Sequence, residues 1–478
     1  MNLNEYAAHD GIALAQLIAA GDVSTQEVAA LAIEAVQQVN PSINAVIEHW
    51  TPGISTGSGP LAGVPFLIKD LAITAAGRRN ELGSRLAAGL VAEHDSYLMQ
   101  RFNAAGLSTV GRTTTPEMAF STETDSTLQG PTRNPWDTRL SAGGSSGGAG
   151  AAVAAGIVPI AHATDAAGSI RVPAAFNGLV GLKPTRGRCS HGPVMDEVFA
   201  GLGVQLGLSR SVRDSAALMD IVQGHAPGDP YHTAAPVEGF LAQVGRDPGR
   251  LRIGLLDTPW NGAAVDGEIL DATSRIAREL DTLGHSVESV QAPLGLSWDA
   301  FVEANAHIWC ASLVRWIDHL AAATGRPIDE RTLEPATLAC YAFGQRSRGT
   351  DFAAALEVRN SIARQVAEWF EEIDVLLTPT LPCLPQAIGT YNLSTEHMDG
   401  RQWTARVFEH SPFTPVFNVA GTPAISLPLG MSSAGLPIGL QFAARFGAED
   451  VLLRLAGQLE QALPWQHRQP QVRVGHPG

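Results

Sequence analysis

Residues 141–171 read SAGGSSGGAGAAVAAGIVPIAHATDAAGSIR. Two serines stand on small-residue turns within this stretch. Ser145 lies between Gly143-Gly144 and Ser146-Gly147-Gly148, and Ser169 follows Asp165-Ala166-Ala167-Gly168. The small residues at 149–155 predict a tightly packed helix, 157–161 a buried strand, and 164–168 a turn. A serine placed on such a turn beside a strand can share a pocket with neighbouring backbone N–H groups, the geometry acyl transfer needs. The plain alternative is a helix cap or turn former. A phosphate cradle is disfavoured: there is no GxxxxGK[ST] and no GxGxxG after a strand with an acid downstream.

Upstream, an apolar strand in GVPFLIKD (63–70) runs straight into Lys69. A Lys-Asp pair at a strand end is ordinarily a surface pair. A buried amine is the functional alternative, because burial disfavours the charged form and makes lysine a base. Polar loops at 111–117 and 130–137 lead from this strand to the serine stretch.

The flanking chain alternates strand and helix patterns. Residues 13–39 predict two helices, the second opened by a capping box, Ser24 to Glu27, and ended by Asn40-Pro41. Further helices are predicted over 95–105, 211–223, 266–283, 299–320, 352–372 and 449–462. Strands are predicted at 107–110, within 178–187, and at 251–256, 375–379 and 439–442. Residues 413–429 read as an irregular apolar segment broken by three prolines. A Pro/Gly/Asp-rich stretch over 224–249 marks a composition shift, after which the same strand–helix style resumes.

Length alone, 478 residues, allows two to four domains. With 45% hydrophobic and 17% charged residues the chain is compact and not disordered. A net charge of −15 argues against nucleic acid or an anionic membrane as the main partner. The four cysteines form no CxxC pair and are read as reduced thiols of a cytoplasmic protein. No zinc spacing, secretory signal or apolar run of about 18 residues is visible, so no metal and no membrane span are expected.

Together these motifs resemble the amidase signature family of hydrolases. The resemblance rests on GVPFLIKD, GRTTTPE (111–117), TRNPWD (132–137) and GGSSGGAGAAVAAG (143–156). It continues through TDAAGSIRVPAAFNGLVGLKPTRGR (164–188) and FNVAGTPAISLPLG (417–430), nearly the whole chain. Within the family the DAAGS form is most similar to the bacterial 6-aminohexanoate-cyclic-dimer hydrolase type. The resemblance implies an α/β amidase signature fold: one domain over 1–478, built on a large twisted mixed β-sheet with helices on both faces. Helices at 13–40 would pack on the core, and a variable pocket segment would span about 290–410.

It also implies a Ser–cis-Ser–Lys triad. By motif, Lys69 is the base, Ser145 the bridging serine behind a cis Gly144–Ser145 bond, and Ser169 the nucleophile. Backbone N–H groups of Ala166, Ala167, Gly168 and Ser169 would form the oxyanion hole. Many family members carry glycine where this chain has Ala167, and a methyl there would crowd the loop only at positive φ. Ala119, Phe120 and Trp309 are the candidate pocket residues, with walls expected from 117–130, 300–345 and 384–412. The expected substrate is a small apolar, aryl or ω-amino-acid amide, linear or cyclic. A carbamate hydrolase or the amidase subunit of a tRNA-dependent amidotransferase are the alternatives. No cofactor is implied, and a homodimer is allowed.

Overall fold

Side-chain alternation along the later strands separates two apolar layers. Val375 and Leu377 join one core cluster and Leu376 the other; Phe442 and Ala444 face the first layer and Ala443 the second. A period of two puts such neighbours on opposite faces of a sheet. The computed structural model describes residues 1–53, 57–195, 197–392 and 395–476.

The strands in chain order begin with β1 (Val46–His49), β2 (Pro65–Lys69), β3 (Ser108–Thr113), β4 (Arg133–Asn134) and β5 (Asp137–Ser141). Then come β6 (Ile160–Asp165), β7 (Val180–Lys183), β8 (Val204–Ser209) and β9 (Arg252–Leu255). The last are β10 (Ser286–Ser289), β11 (Val375–Pro379), β12 (Ala424–Met431) and β13 (Pro437–Ala444). β4 and β5 form a separate small pair. The other eleven make one mixed sheet in the order β1-β3-β2-β6-β8-β7-β12-β13-β11-β9-β10. β2 runs parallel to β3 and β6, so the carboxyl ends of β2 and β6 deliver Lys69 and Asp165 to the same sheet end. Open α/β sheets place their ligand crevices at such ends.

Helices cover both faces. Trp298–Thr324, Pro335–Arg346, Gly349–Glu372 and Gly400–His410 form a layer whose apolar residues cluster with Leu376, Ala424 and Ala443. Among the described residues no helix is long and apolar enough to cross a membrane.

Three local expectations are corrected. Pro41 does not end the second predicted helix but sits inside Thr25–Ile43. It lies in the last turn, and the helix closes at Asn44 (φ 49°), whose N–H donates to the Asn40 carbonyl at 2.8 Å. The strand expected at 157–161 runs over 160–165, because Pro159 has no N–H to give a ladder. Residues 413–429 are ordered as the helix Pro415–Ala420, with proline at its permissive start, followed by β12.

The small-residue helix Gly147–Ala154 is short of side chains for a steric reason. A Cβ on Gly148 would meet Thr114 Oγ1 at 2.3 Å, Thr114 N at 2.6 Å and the Ala45 carbonyl oxygen at 2.8 Å. Helix propensity alone favours alanine there by about 1 kcal/mol, but overpacking costs about 1–3 kcal/mol or more. Gly148→Ala is therefore expected to destabilise by about 1–2 kcal/mol in urea unfolding. A stabilised variant would contradict the close approach.

Candidate active site

Lys69 ends β2 with its side chain fully buried. Its Nζ lies 2.7 Å from Ser145 Oγ, 3.0 Å from Ser146 Oγ and 2.9 Å from Thr164 Oγ1. Burial holds the amine well below the ordinary lysine range, and the negative charge of Asp165 opposes this only in part. The Gly144–Ser145 bond is cis. The Ser145 carbonyl accepts from Thr115 Oγ1 (3.2 Å) and Thr124 Oγ1 (3.4 Å), and the Gly143 carbonyl from Thr124 Oγ1 (2.8 Å). The serine turn is thus pinned from two threonines on neighbouring loops.

Ser169 sits on the turn after β6, which is shaped by a buried carboxylate that sequence reasoning missed. Asp165 Oδ1 accepts from the Gly168 N–H (2.8 Å) and Oδ2 from the Ile170 N–H (3.1 Å). Arg171, also fully buried, grips the same carboxylate through Nε (3.0 Å) and Nη2 (2.9 Å). Arg171 Nη1 donates to Gln441 Oε1 (2.7 Å) and the Thr414 carbonyl (2.9 Å), and Nη2 donates to Asn418 Oδ1 (2.6 Å). Burial by itself would push the Asp165 carboxyl up; the Arg171 guanidinium and these hydrogen bonds bring it down to about 2. The sequence signal was available as an acid and a base flanking the second serine, DAAGSIR.

This turn corrects the four-donor oxyanion hole. The Gly168 N–H is committed to Asp165, while those of Ala166, Ala167 and Ser169 have no partner among the described residues. Gly168 carries the left-handed conformation (φ 135°), and a Cβ there would meet Thr414 Oγ1 at 2.5 Å. Ala167 is not left-handed, so its methyl strains nothing. Thr414 Oγ1 donates to the Ala167 carbonyl and fixes that peptide plane.

Ser145 and Ser169 open onto one narrow cavity of about 30 Å³. No hydrogen bond joins their hydroxyls among the described residues; such contacts commonly tighten only when substrate binds. Ala119 and Trp309 line the cavity. Phe120 does not: it stacks on Trp309 at 4.7 Å, while Phe199 covers the other face at 4.1 Å. Trp316, within the expected 300–345 wall, lines it as well; His191, Gln205, Val198 and Phe199 line it too and were missed. The missed residues come from 191–205, and Trp316 lies two helical turns beyond Trp309. The segment 384–412 contributes nothing to this lining; its residues 393 and 394 lie outside the described residues. Ala72, Met118, Ala119 and Phe199, all on the wall, have φ between 51° and 69°. Each such non-glycine residue costs about 1–2 kcal/mol, so strain is concentrated where the ligand space is shaped. Among the described residues no His/Cys/Asp/Glu group is arranged to hold a metal.

A family model described as Amidase matches residues 15–453. The chain is 40% identical over 476 residues to the 6-aminohexanoate-cyclic-dimer hydrolase of Paenarthrobacter ureafaciens, covering 97% of this chain and 96% of that protein. A structure of 6-aminohexanoate cyclic dimer hydrolase complexed with substrate superposes with TM-score 0.92 at 40% identity, covering 97% of this chain and 99% of that one. A bacterial aryl acylamidase of the amidase signature family superposes with TM-score 0.83 at 26% identity, covering 96% and 97%.

Removing Arg171 while keeping Asp165 strands a buried charge, which costs about 3–5 kcal/mol. Arg171→Met is expected to lose stability of that order in urea unfolding, and a loss below about 1 kcal/mol would contradict the pairing.

Proposed function

This chain belongs to the amidase signature family and is a hydrolase of amide C–N bonds, and from that premise we propose that it works through an acyl-enzyme on Ser169. An unprotonated Lys69 Nζ has two hydrogens and one lone pair for its three hydroxyl neighbours. Ser146 donates its own hydrogen to the Thr164 carbonyl (3.3 Å), so it receives one from Nζ. The lone pair is left for Ser145 or Thr164, and Ser145 at 2.7 Å is the nearer.

In this scheme Ser145 passes its proton to Lys69 as it takes that of Ser169. Ser169 Oγ attacks the amide carbonyl, and the oxyanion is met by the N–H groups of Ala166, Ala167 and Ser169. The C–N bond breaks as Ser145 returns a proton to the leaving nitrogen. Water then cleaves the ester by the same relay and releases the acid. The observation that carries this reading is a fully buried amine, its pKa pushed well below the ordinary lysine range by burial, within hydrogen-bonding distance of a serine that shares its cavity with Ser169.

The lining favours an uncharged substrate. Among the described residues Asp165 is the only charged side chain on it, and Arg171 already neutralises it. An ammonium or a free carboxylate would enter without a counter-charge. This supports a cyclic or aryl amide over glutamine, and a free-standing hydrolase over an amidotransferase subunit. The names of the similar proteins, a cyclic-dimer hydrolase and an aryl acylamidase, agree with that choice.

Ser169→Ala is expected to abolish both amide hydrolysis and labelling by a fluorophosphonate. Lys69→Met is expected to lower kcat/KM by about 10²–10⁴-fold; retained turnover in either variant would reject the scheme. The base acts unprotonated, and burial lowers its pKa. kcat/KM of the wild type should therefore rise with pH through an ionisation below the ordinary lysine range and fall on the acid side. A profile flat across acid pH would count against Lys69.

A further inference from the structure

Three polar residues near the cavity have no part in the scheme above: His162, Gln205 and His191. His162 and Thr164 lie two apart on β6 and share a face, and Gln205 on β8 stands directly opposite Thr164. The backbone N–H of Lys69 donates to His162 Nδ1 (3.3 Å). That nitrogen must offer its lone pair, so the ring hydrogen is on Nε2, which faces Gln205 Oε1 at 3.0 Å. The amide of Gln205 is thereby oriented, and its Nε2 donates to His191 Nδ1 at 3.0 Å. Burial holds both imidazoles uncharged, at about 3 for His162 and about 4 for His191.

This chain of bonds runs one way from the Lys69 backbone to the cavity wall. It uses one hydrogen of the Gln205 amide nitrogen and leaves the other. Elsewhere on the lining, the Ser145 hydroxyl donates to Lys69, the Thr164 oxygen accepts from it, and the Asp165 carboxylate is taken by Arg171. The buried Trp309 indole N–H has no partner among the described residues. The hydrogens left unspent on the lining thus include two donors, Gln205 Nε2 and Trp309 Nε1. An uncharged acceptor suits them; an ammonium does not.

We propose that Gln205 is a specificity-determining residue that donates to a second carbonyl of the substrate, so that the preferred substrate class is an uncharged diamide in which one amide is cleaved and the other is held. This rests on the amidase reading of the Ser169 site. A cyclic diamide suits the charge of this lining, because ring closure removes both the amine and the acid. A site built to hydrogen-bond a substrate group discriminates strongly against analogues that lack it, since its own buried donor is then left unpaired.

The test compares a cyclic diamide with an anilide of similar size that has a single carbonyl. The ratio of kcat/KM, diamide over anilide, should fall by about tenfold or more in Gln205→Leu. Gln205→Glu, which keeps the size and an acceptor for His162 but has no hydrogen to give, should lower the ratio in the same direction. It carries the test if the leucine variant does not fold. Fluorophosphonate labelling of Ser169 reports separately on the catalytic centre. Labelled variants with an equal fall for both substrates would make Gln205 merely structural and overturn the proposal. A wild type that cleaves neither compound and takes no label would instead reject the underlying amidase reading.

Discussion

The ion pair of Asp165 with Arg171 is the contact on which the rest of the site depends. Its two partners flank the turn that carries Ser169, and both are fully buried. A buried pair of this kind adds little net stability in general, since desolvation offsets much of the attraction. Its value here is geometric. One carboxylate binds the Gly168, Ile170 and Arg171 backbone N–H groups, and one guanidinium reaches Thr414, Asn418 and Gln441 on later elements. The turn is therefore fixed from inside the protein and leaves the N–H groups of Ala166, Ala167 and Ser169 without a partner among the described residues.

The same pair also governs the charge of Lys69. A buried lysine beside a free carboxylate would be held protonated and would be useless as a base. Asp165 is present, but its charge is already matched by Arg171 across 2.9 Å. The amine is left with three hydroxyls and no counter-ion of its own, and desolvation decides its state. The lowered amine and the paired carboxylate on the lining are two consequences of one arrangement.

Much of the chemistry was legible in sequence because it lies in runs of local signal. The strand ending in Lys69, the two serine turns and the capping box at Ser24 all carry their cues within a few residues. The α/β character and the mixed central sheet followed from the alternation of patterns and from the family resemblance. What was illegible depended on distance in the chain. Phe199 and Gln205 reach the cavity because β8 pairs with β6, and nothing near residue 200 announces that neighbour. Phe120 was expected on the wall beside Trp309, but it follows two left-handed residues, Met118 and Ala119, and stacks on Trp309 without lining the cavity. Pro41 and the prolines of 413–429 misled because proline was read as a stop, whereas Pro415 stands at a helix's first position, where its N–H would have no partner, and Pro41 removes a single bond in the last turn.

The two apolar layers divide the work. Lys69, Thr164, Asp165 and Gln205 stand on paired strands of the sheet, where register fixes each side chain to within one residue step. Trp309 and Trp316 come instead from the long helix Trp298–Thr324 of the outer layer, held by stacking against Phe120 and Phe199. Stacked rings can be exchanged for other apolar groups of similar volume at modest cost, whereas a slipped strand would break every contact of the amine. The reaction is thus bound to the sheet, and the width of the cavity to a layer that can change without disturbing it. Gln205 is the exception, a cavity-lining amide on a strand of the sheet, tied through His162 to the backbone N–H of Lys69. A substrate carbonyl held by Gln205 is consequently positioned relative to Lys69 by the sheet, independently of how the aromatic wall is built.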